Sequence, residues 1–390
     1  MKKRDSFLVI LGILFISFNL RAPITAVGSI VDLIQSEFAL STAAAGFITT
    51  LPLLAFAVVS PFVATLAGKI GHAKTMMCGL GLILCGELIR SYTGAAGLFL
   101  GTAVIGVGIA IGNVIIPGII KLRFADRVGA VTSIYTSGMC IFAAVGAGIS
   151  VPLAKGLGLG WKNALASWFF LTIVTIVIWL PQVRGKAAAS AAKKAAGKTS
   201  IWKSKLAWFV TLFMGVQSLL FYSLVAWLPT VVTSKGMADS FAGSMATLFQ
   251  LMAIPATLLI PTLCDKFRDQ RPLVLVTCLI YALGMLCFLL ARNAMMITVA
   301  VVLMAIGMGG SISLSIAFMS LRSPNSARAS ELSGMSQSAG YLLAAVGPVL
   351  TGFIYDIQTS WTIPLVMFIV LIGILAFCGL TAGSNRTVSE

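Results

Sequence analysis

Twelve long apolar runs, separated by short segments that hold most of the charged residues, dominate this sequence of 390 residues. A helix needs about 20 apolar residues to cross the hydrocarbon of a bilayer. Only helices and closed barrels satisfy their backbone groups in lipid, and continuous rather than alternating runs favour helices. Hydrophobic residues make up 59% of the chain and charged residues 10%, which excludes a soluble domain. We therefore predict an all-α membrane protein with twelve transmembrane helices.

The bounds of the predicted spans follow from where each apolar run starts and stops. Prolines lie inside the second and the eighth span, where membrane helices tolerate them as kinks. The twelve spans are predicted at residues 6–34, 42–66, 75–91, 95–120, 129–153, 163–182, 206–232, 239–263, 273–291, 293–320, 331–354 and 362–383.

Basic residues are unequally distributed among the predicted loops. If the N-terminus is cytoplasmic, 21 of the 27 Lys and Arg residues lie in cytoplasmic segments. Cytoplasmic loops are enriched in these residues, so the distribution predicts that both termini are cytoplasmic. The net charge of +16 is then an orientation signal, and the predicted partner is a lipid bilayer rather than nucleic acid. The basic residues outside this pattern are Arg21, Arg90, Lys155, Lys162, Lys235 and Arg292.

Two halves of similar length share a weak repeat. The segment TLAGK at 65–69 corresponds to TLCDK at 262–266, and AAVG at 143–146 corresponds to AAVG at 344–347. Six spans in each half give the two halves the same direction through the membrane, as in parallel repeats. We predict an N-terminal six-helix bundle at 1–183, a cytoplasmic linker at 184–205 and a C-terminal six-helix bundle at 206–390.

No pattern in the sequence indicates a metal site, a cofactor or an enzyme active site. The seven cysteines lack metal-ligand spacing, and the single histidine, His72, falls in a predicted loop. The glycine-rich stretch at 106–112 lacks the spacing of a nucleotide-binding loop, and no strand precedes it. We therefore expect no metal, no cofactor and no enzymatic activity. The first apolar run continues without a cleavage site, so we expect it to be retained as the first span.

A basic loop follows the second span of each half. Residues 64–74 read ATLAGKIGHAK, and residues 263–266 read LCDK. Together with twelve spans in two parallel halves, these loops resemble the characteristic loop of the major facilitator superfamily. Gly68 stands where that family usually has aspartate, whereas Asp265 retains it. The resemblance implies that an ion pair at the second loop, and the loop residues Lys69, Lys74, Asp265 and Lys266, take part in the conformational change of a transporter.

Five short motifs are distributed over both halves of the chain. They are Asn19-Leu20-Arg21-Ala22-Pro23, Thr49-Thr50-Leu51-Pro52, Gly112-Asn113 with Pro117 and Ile120-Lys121, Trp179-Leu180-Pro181, and Ser333-Gly334-Met335-Ser336-Gln337-Ser338. In these motifs the chain resembles a narrower group, the cyanate and 2-nitroimidazole transporters. The resemblance implies a bacterial inner-membrane carrier of a small anion or a polar heterocycle that functions as a monomer.

Arg21 is a charged residue inside the first predicted span, roughly 20 Å along the helix. An arginine at this depth costs about 3 kcal/mol or more in lipid. Pro23 lacks an amide hydrogen for the carbonyl of Asn19, and we expect a broken helix there that leaves polar groups facing a cavity. One interpretation is that the forked guanidinium binds an anionic or electronegative substrate. The other is an internal ion pair, or a side chain that reaches the membrane surface.

Glu87 and Arg90 lie three residues apart in the third span and therefore on one helix face. One interpretation is a salt bridge between them near the outer surface. The other is that the buried carboxyl of Glu87 binds a proton. Glu331, close to Arg328 at the start of span eleven, is interpreted as a helix-start residue.

Other polar residues lie within the spans, where they are costly unless they face the protein interior. The resemblance to the major facilitator superfamily implies that spans one, four, seven and ten line a cavity. Hydrogen bonds between helices are the alternative role for each of these residues. Gln217 is a candidate for the wall of this cavity. We predict substrate contacts for Arg21, Asn19, Asn113, Tyr135, Tyr222, Gln250, Gln337 and Tyr341.

The sequence thus predicts a secondary transporter whose two six-helix bundles expose a central site to each side of the membrane in turn. Arg21 is predicted to anchor a small anionic or strongly polar substrate. One alternative is an exporter of amphiphilic drugs. An alternative of another class is a non-transporting membrane sensor or a lipid scramblase.

Overall fold

The computed structural model describes residues 3–40, 42–184 and 200–388, and α-helices account for most of them. The long apolar runs form helices because a helix satisfies the backbone hydrogen bonds of each run internally. The helices are α1 Lys3–Asn19, α2 Ala22–Gly28, α3 Val31–Phe38, α4 Thr42–Ile70, α5 His72–Tyr92, α6 Gly94–Arg123, α7 Val128–Val151, α8 Gly160–Ala166, α9 Trp168–Arg184, α10 Lys205–Ser234, α11 Asp239–Cys264, α12 Arg271–Leu290, α13 Ala294–Leu321, α14 Ser326–Gln358 and α15 Thr362–Ala382.

Twelve segments of the described chain are long and apolar enough to cross a membrane, which confirms the predicted number. The first span, Ser6–Gly28, consists of α1 and α2, and the sixth, Gly160–Val183, consists of α8 and α9. The first span is shorter than predicted because the chain turns after Gly28 and begins the separate helix α3. Residues 185–199, most of the predicted linker, lie outside the described residues.

The chain forms two compact units. The first comprises Met1–Phe124, Ile134–Lys198 and Asn325–Gly334, and the second comprises Ala125–Ser133, Thr199–Pro324 and Met335–Glu390. The second unit thus includes the start of α7, and the first unit includes the start of α14. Hydrogen bonds account for the placement of α7, because its start bonds to α11 and to Asp265, as described below.

Glycines bring α5 and α6 into backbone contact in the first unit. A Cβ atom at Gly101 would lie 2.6 Å from Arg90 Cα and 2.6 Å from the Gly86 carbonyl oxygen. A Cβ atom at Gly108 would lie 2.6 Å from the Gly79 carbonyl oxygen. We call these four residues, Gly79 and Gly86 on α5 and Gly101 and Gly108 on α6, the glycine seam. Since small residues allow helices to approach closely, the seam fixes the part of α5 that carries Glu87 and Arg90.

The short helix α3 is tied to α8 by Glu37. Lys162 Nζ lies 2.6 Å from Glu37 Oε1, and Trp161 Nε1 donates to Oε2 at 2.5 Å. These two hydrogen bonds lower the pKa of the Glu37 carboxyl below its usual value. The pair is partly exposed and contributes little by itself. The packing of this end of the unit comes from an apolar cluster that includes Ile34, Trp161 and Trp168.

Candidate functional site

The first span is interrupted at Arg21. Helix α1 ends at Asn19 and α2 begins at Ala22, and Arg21 between them has φ −128° and ψ −46°. The break arises because Pro23 has no amide hydrogen to donate to the Asn19 carbonyl and its ring crowds that oxygen. The predicted helix break is confirmed, and the half-buried Arg21 lies within it.

Asn19 connects the end of α1 to α9. Its Nδ2 donates to Thr175 Oγ1 at 2.7 Å and to the Phe15 carbonyl oxygen at 2.8 Å. Its Oδ1 lies 2.7 Å from Thr172 Oγ1. The side chain is fully buried. The amide therefore bonds within the first unit and holds the break, and a contact between Asn19 and a substrate stays a prediction.

Glu87 and Arg90 are both buried, but neither bonds to the other. Thr172 Oγ1 lies 2.9 Å from Glu87 Oε2, and Arg90 Nη1 donates to the Pro23 carbonyl oxygen at 2.6 Å. The ion pairs of the described residues do not include a Glu87–Arg90 pair. The salt bridge offered as one interpretation is absent from this structure because the guanidinium reaches across to α2 instead. Glu87 Oε1, Arg90 Nε and Arg90 Nη2 have no hydrogen-bond partner among the described residues.

Two predicted site residues of the first unit lie together. Tyr135 OH donates to Asn113 Oδ1 at 2.9 Å and joins α7 to α6. Ser333 Oγ donates to the Asn113 carbonyl oxygen at 3.2 Å. Both predicted residues are buried. This arrangement is the interhelical hydrogen bond that was the alternative to substrate contact, and a substrate contact of either residue stays a prediction.

Two predicted aromatic residues of the second unit also lie together. The rings of Tyr222 on α10 and Tyr341 on α14 have centroids 6.4 Å apart, at 61° to each other. Gln337, one helical turn before Tyr341, is buried, and its Oε1 has no hydrogen-bond partner among the described residues. Gln250 lies half-buried on α11. The second unit thus presents aromatic faces and an unused amide acceptor along α14.

Sequence reasoning missed a second polar cluster, on α10 and α13. Met214 Sδ lies 3.3 Å from Gln217 Nε2 and 3.3 Å from Ser315 Oγ. Gln217 Nε2 also donates to Ser218 Oγ at 2.7 Å. The sequence singled out Gln217 for its polarity but gave no sign that a methionine sulfur accepts these bonds. Thr172 and Thr175 were missed as well, although two threonines three residues apart in an otherwise apolar span are a recognisable signal.

The two motif loops differ in structure. Both carboxylate oxygens of Asp265 accept backbone hydrogen bonds at the start of α7, from Gly129 N at 2.7 Å and Ala130 N at 2.8 Å. A carboxylate is favourable there because helix N-termini carry unsatisfied amides and a positive dipole end. Among the described residues, the recorded ion pairs do not involve Asp265, so backbone amides take the place of the implied cation.

In the first unit, Gly68 stands in place of the aspartate and cannot make such a contact. The residue near this loop that bonds to a neighbouring helix is His72, which contacts α14. Its Nε2 lies 3.0 Å from Ser330 Oγ. His72 is buried and begins α5, so its prediction as a loop residue is wrong: Gly71, with φ 88°, allows the helix to start three residues earlier than predicted. The other motif residues Lys69, Lys74 and Lys266 are exposed.

The chain matches the family model described as Major Facilitator Superfamily over residues 9–329 and 231–386. It is 45% identical to the uncharacterized transporter YycB of Bacillus subtilis (strain 168), over 100% of this chain and 96% of that protein. It is 40% identical to the 2-nitroimidazole transporter of Escherichia coli (strain K12), over 99% and 98% of the two chains. It is 24% identical to the cyanate transport protein CynX of the same organism, over 90% and 91%.

Solved structures give the same fold. The proton:xylose symporter XylE, bound to 6-bromo-6-deoxy-D-glucose, superposes with a TM-score of 0.79 at 14% sequence identity. The alignment covers 100% of this chain and 99% of that one. The predicted twelve-helix fold and the resemblance to the cyanate and 2-nitroimidazole transporters are thereby confirmed.

Proposed function

The chain belongs to the major facilitator superfamily of transporters, and we propose that it carries a small anionic or strongly polar molecule across the bacterial inner membrane by alternating access. The proposed substrates are a cyanate-like anion or a nitro-substituted heterocycle. The carrier is proposed to work as a monomer, with both termini cytoplasmic, as the distribution of basic loops indicates.

The observation that carries this proposal is Arg21 in the broken first span. A helix that is interrupted inside a membrane leaves backbone groups and a charge that lipid does not solvate, so such sites line a cavity or bind a ligand. Four described groups hold the break in place: Asn19, Thr172, Thr175 and the guanidinium of Arg90. A site that is held this firmly on rigid helices is suited to orient a small ligand.

The chemistry of the relatives' substrates agrees with an arginine anchor. Cyanate is a small anion, and the nitro group of 2-nitroimidazole presents two oxygens with partial negative charge in one plane. A guanidinium offers parallel N–H donors in a plane, so it can bind either group with two hydrogen bonds. We propose that Asn113 and Tyr135 in the first unit, and Tyr222, Gln250, Gln337 and Tyr341 in the second, supply further polar and aromatic contacts.

The proposal is tested by counterflow in proteoliposomes that contain the purified protein. Vesicles loaded with unlabelled cyanate or 2-nitroimidazole should take up the labelled form of the same compound, and protein-free vesicles should not. The bound compound should also raise the thermal midpoint of the protein, because a ligand that binds only the folded state stabilises it. If neither compound exchanges nor stabilises the protein, the proposed substrate class is wrong.

The same vesicles separate the alternatives. An exporter of amphiphilic drugs should exchange a lipophilic cation such as tetraphenylphosphonium, which an arginine anchor repels. A sensor gives no exchange of any solute. A scramblase gives no solute exchange but moves a fluorescent lipid from one leaflet to the other.

We further propose that the Asp265 contact with the start of α7 stabilises one state of the transport cycle. Asp265→Asn replaces one accepting oxygen with a nitrogen that cannot accept, so one of the two hydrogen bonds is lost. Loss of a helix N-cap costs about 0.5–2 kcal/mol. We therefore expect a lower thermal midpoint and a changed rate of counterflow.

The matched control is Asp269→Asn in the same loop. Asp269 pairs with Arg271 at 3.8 Å, and both side chains are about half exposed. Exposed pairs of this kind contribute little, so this variant should behave like the wild type. Equal behaviour of the two variants would show that Asp265 has no special role.

A further inference from the structure

The hydrogen bonds around Thr172 require one more proton than a carboxylate at Glu87 allows. Thr172 Oγ1 lies 2.7 Å from Asn19 Oδ1 and 2.9 Å from Glu87 Oε2, and both of these atoms are acceptors when Glu87 is ionised. A hydroxyl has a single hydrogen to donate. With an ionised Glu87, one of the two buried contacts would therefore bring two oxygens together without a hydrogen.

The orientation of the Asn19 amide is fixed by its other contacts. Its nitrogen faces the Phe15 carbonyl oxygen, which only accepts, at 2.8 Å. The oxygen of the amide must therefore face Thr172, and Thr172 donates to it. Thr175 Oγ1 accepts from the Asn19 nitrogen and donates to the Leu171 carbonyl oxygen at 2.7 Å. The chain of donors then runs in one direction, and its first donor must be a protonated Glu87.

Arg90 supports the same assignment. An ionised Glu87 three residues away on the same helix face would attract the guanidinium, which has Nε and Nη2 free of hydrogen-bond partners among the described residues. Instead Nη1 donates to the Pro23 carbonyl oxygen at 2.6 Å. In this structure Glu87 Oε1 has no hydrogen-bond partner among the described residues, and the guanidinium bonds to α2 instead of pairing with it, as a neutral carboxylic acid allows.

Other charged and titratable residues belong to the broken first span, to α5 and to the helices packed against α5. Arg21, two residues before the carbonyl that Arg90 binds, is the charged group of the broken span nearest to this network in sequence. Helix α5 itself also carries His72, Lys74, Cys78, Cys85 and Tyr92. On the helices packed against α5, the charged residues are Lys69 of α4, Lys121 and Arg123 of α6, Lys162 of α8 and Arg184 of α9.

We propose that Glu87 is the proton-binding site of this carrier, and that its proton decides whether Arg90 bonds to the Pro23 carbonyl or to the Glu87 carboxylate. The inference rests on the proposed transport function. When Glu87 releases its proton to water, the carboxylate pairs with Arg90 and withdraws the guanidinium from α2. The helix break then loses one of its supports, and the position of Arg21 changes. Protonation and the geometry of the substrate anchor are thereby coupled.

The proton site can be tested without a substrate. A protonated carboxylic acid in a protein gives an infrared carbonyl band distinct from that of a carboxylate, and a pH titration of the lipid-reconstituted protein follows it. We expect such a band in the wild type and its loss in Glu87→Gln. The matched control, Glu37→Gln, removes a carboxyl from the same unit and should leave the band in place. An acid band that persists in Glu87→Gln, or a wild type without one while folded, overturns the proposal.

A second variant covers the case in which Glu87→Gln does not fold. Thr172→Val keeps the shape of the side chain but removes the hydroxyl that accepts from the acid. We expect the acid band to move to the position of a carboxylic acid that lacks this hydrogen bond, whereas Thr172→Ser should leave the band where it is in the wild type. An unshifted band in Thr172→Val contradicts the proposed donor chain.

Coupling to transport is measured with whichever of cyanate and 2-nitroimidazole exchanges in the counterflow assay. If one proton accompanies each substrate, a gradient of one pH unit should change the accumulation ratio about tenfold. The ratio of gradient-driven accumulation to counterflow should fall about tenfold in Glu87→Gln. Counterflow without any response to the gradient in the wild type refutes proton coupling but leaves the transport function intact. Absence of counterflow refutes the transport function, and the infrared result still decides the proton site.

Discussion

Replacing Arg21 with alanine is expected to reduce substrate affinity by about 30-fold to several thousand-fold. The estimate follows from the cost of removing one partner of a desolvated charged hydrogen-bond pair, about 2–5 kcal/mol. Arg21→Lys keeps the positive charge but lacks the planar fork, so it should recover only part of the affinity. The measurement is substrate binding by calorimetry, in protein whose thermal midpoint shows that it folds.

Arg292→Ala is the matched control for this prediction. Arg292 is an exposed arginine in the turn before α13, and its loss removes a charge without touching the proposed site. We expect wild-type affinity in this variant. Wild-type affinity in both Arg21 variants would mean that Arg21 does not anchor the substrate, and the internal role of the arginine would then be the correct interpretation.

Gly101→Val is expected to cause a large loss of stability in the first unit. A Cβ atom at this position would lie 2.6 Å from Arg90 Cα and 2.6 Å from the Gly86 carbonyl oxygen. These are backbone atoms, so the side chain cannot be accommodated by a change of rotamer, and α5 and α6 must separate. Overpacking of a tight interface costs about 1–3 kcal/mol, and a rigid backbone contact lies at the upper end. The thermal midpoint of the purified protein measures the effect.

Gly81→Ala provides the control on α5, the helix that faces Gly101 across the glycine seam. A Cβ atom there meets no heavy atom within 4 Å, so the change adds helix propensity without a clash. Alanine is favoured over glycine in a helix by about 1 kcal/mol, and the thermal midpoint should stay or rise. A drop in Gly81→Ala as large as that in Gly101→Val would mean that the glycine seam is not the cause. Because the seam positions Arg90, Gly101→Ala should also weaken substrate binding if the protein folds.

The sequence was sufficient to predict those features that depend on neighbouring residues. The spans followed from continuous apolar runs, and the break in the first span followed from Pro23, which acts on a carbonyl four residues away. Gly71 shows where local reasoning failed. Its positive φ lets α5 begin at His72, three residues before the predicted start of the span, and the apolar run gives no sign of this because His72 and Lys74 are polar.

Contacts between distant parts of the chain were beyond the sequence. Thr172 and Asn19 are 153 residues apart, and Asp265 and Gly129 are 136 residues apart. Periodicity shows that such residues lie in helices but not which helices are neighbours. Arg90 is a clear case: its nearest carboxylate in sequence suggested a salt bridge, whereas the fold offers it the carbonyl of Pro23, 67 residues away.

The two sides of the contact between Asp265 and the start of α7 differ in how well they tolerate amino-acid substitutions. One side of it is a single carboxylate, which almost any codon change at Asp265 removes. The other side consists of main-chain amides, which side-chain replacement at Ala130 leaves in place unless proline is introduced. Gly129 is the exception, because any side chain there would overlap the carbonyl oxygen of Pro261. A library of random variants should therefore be depleted at Asp265 and Gly129 and diverse at Ala130.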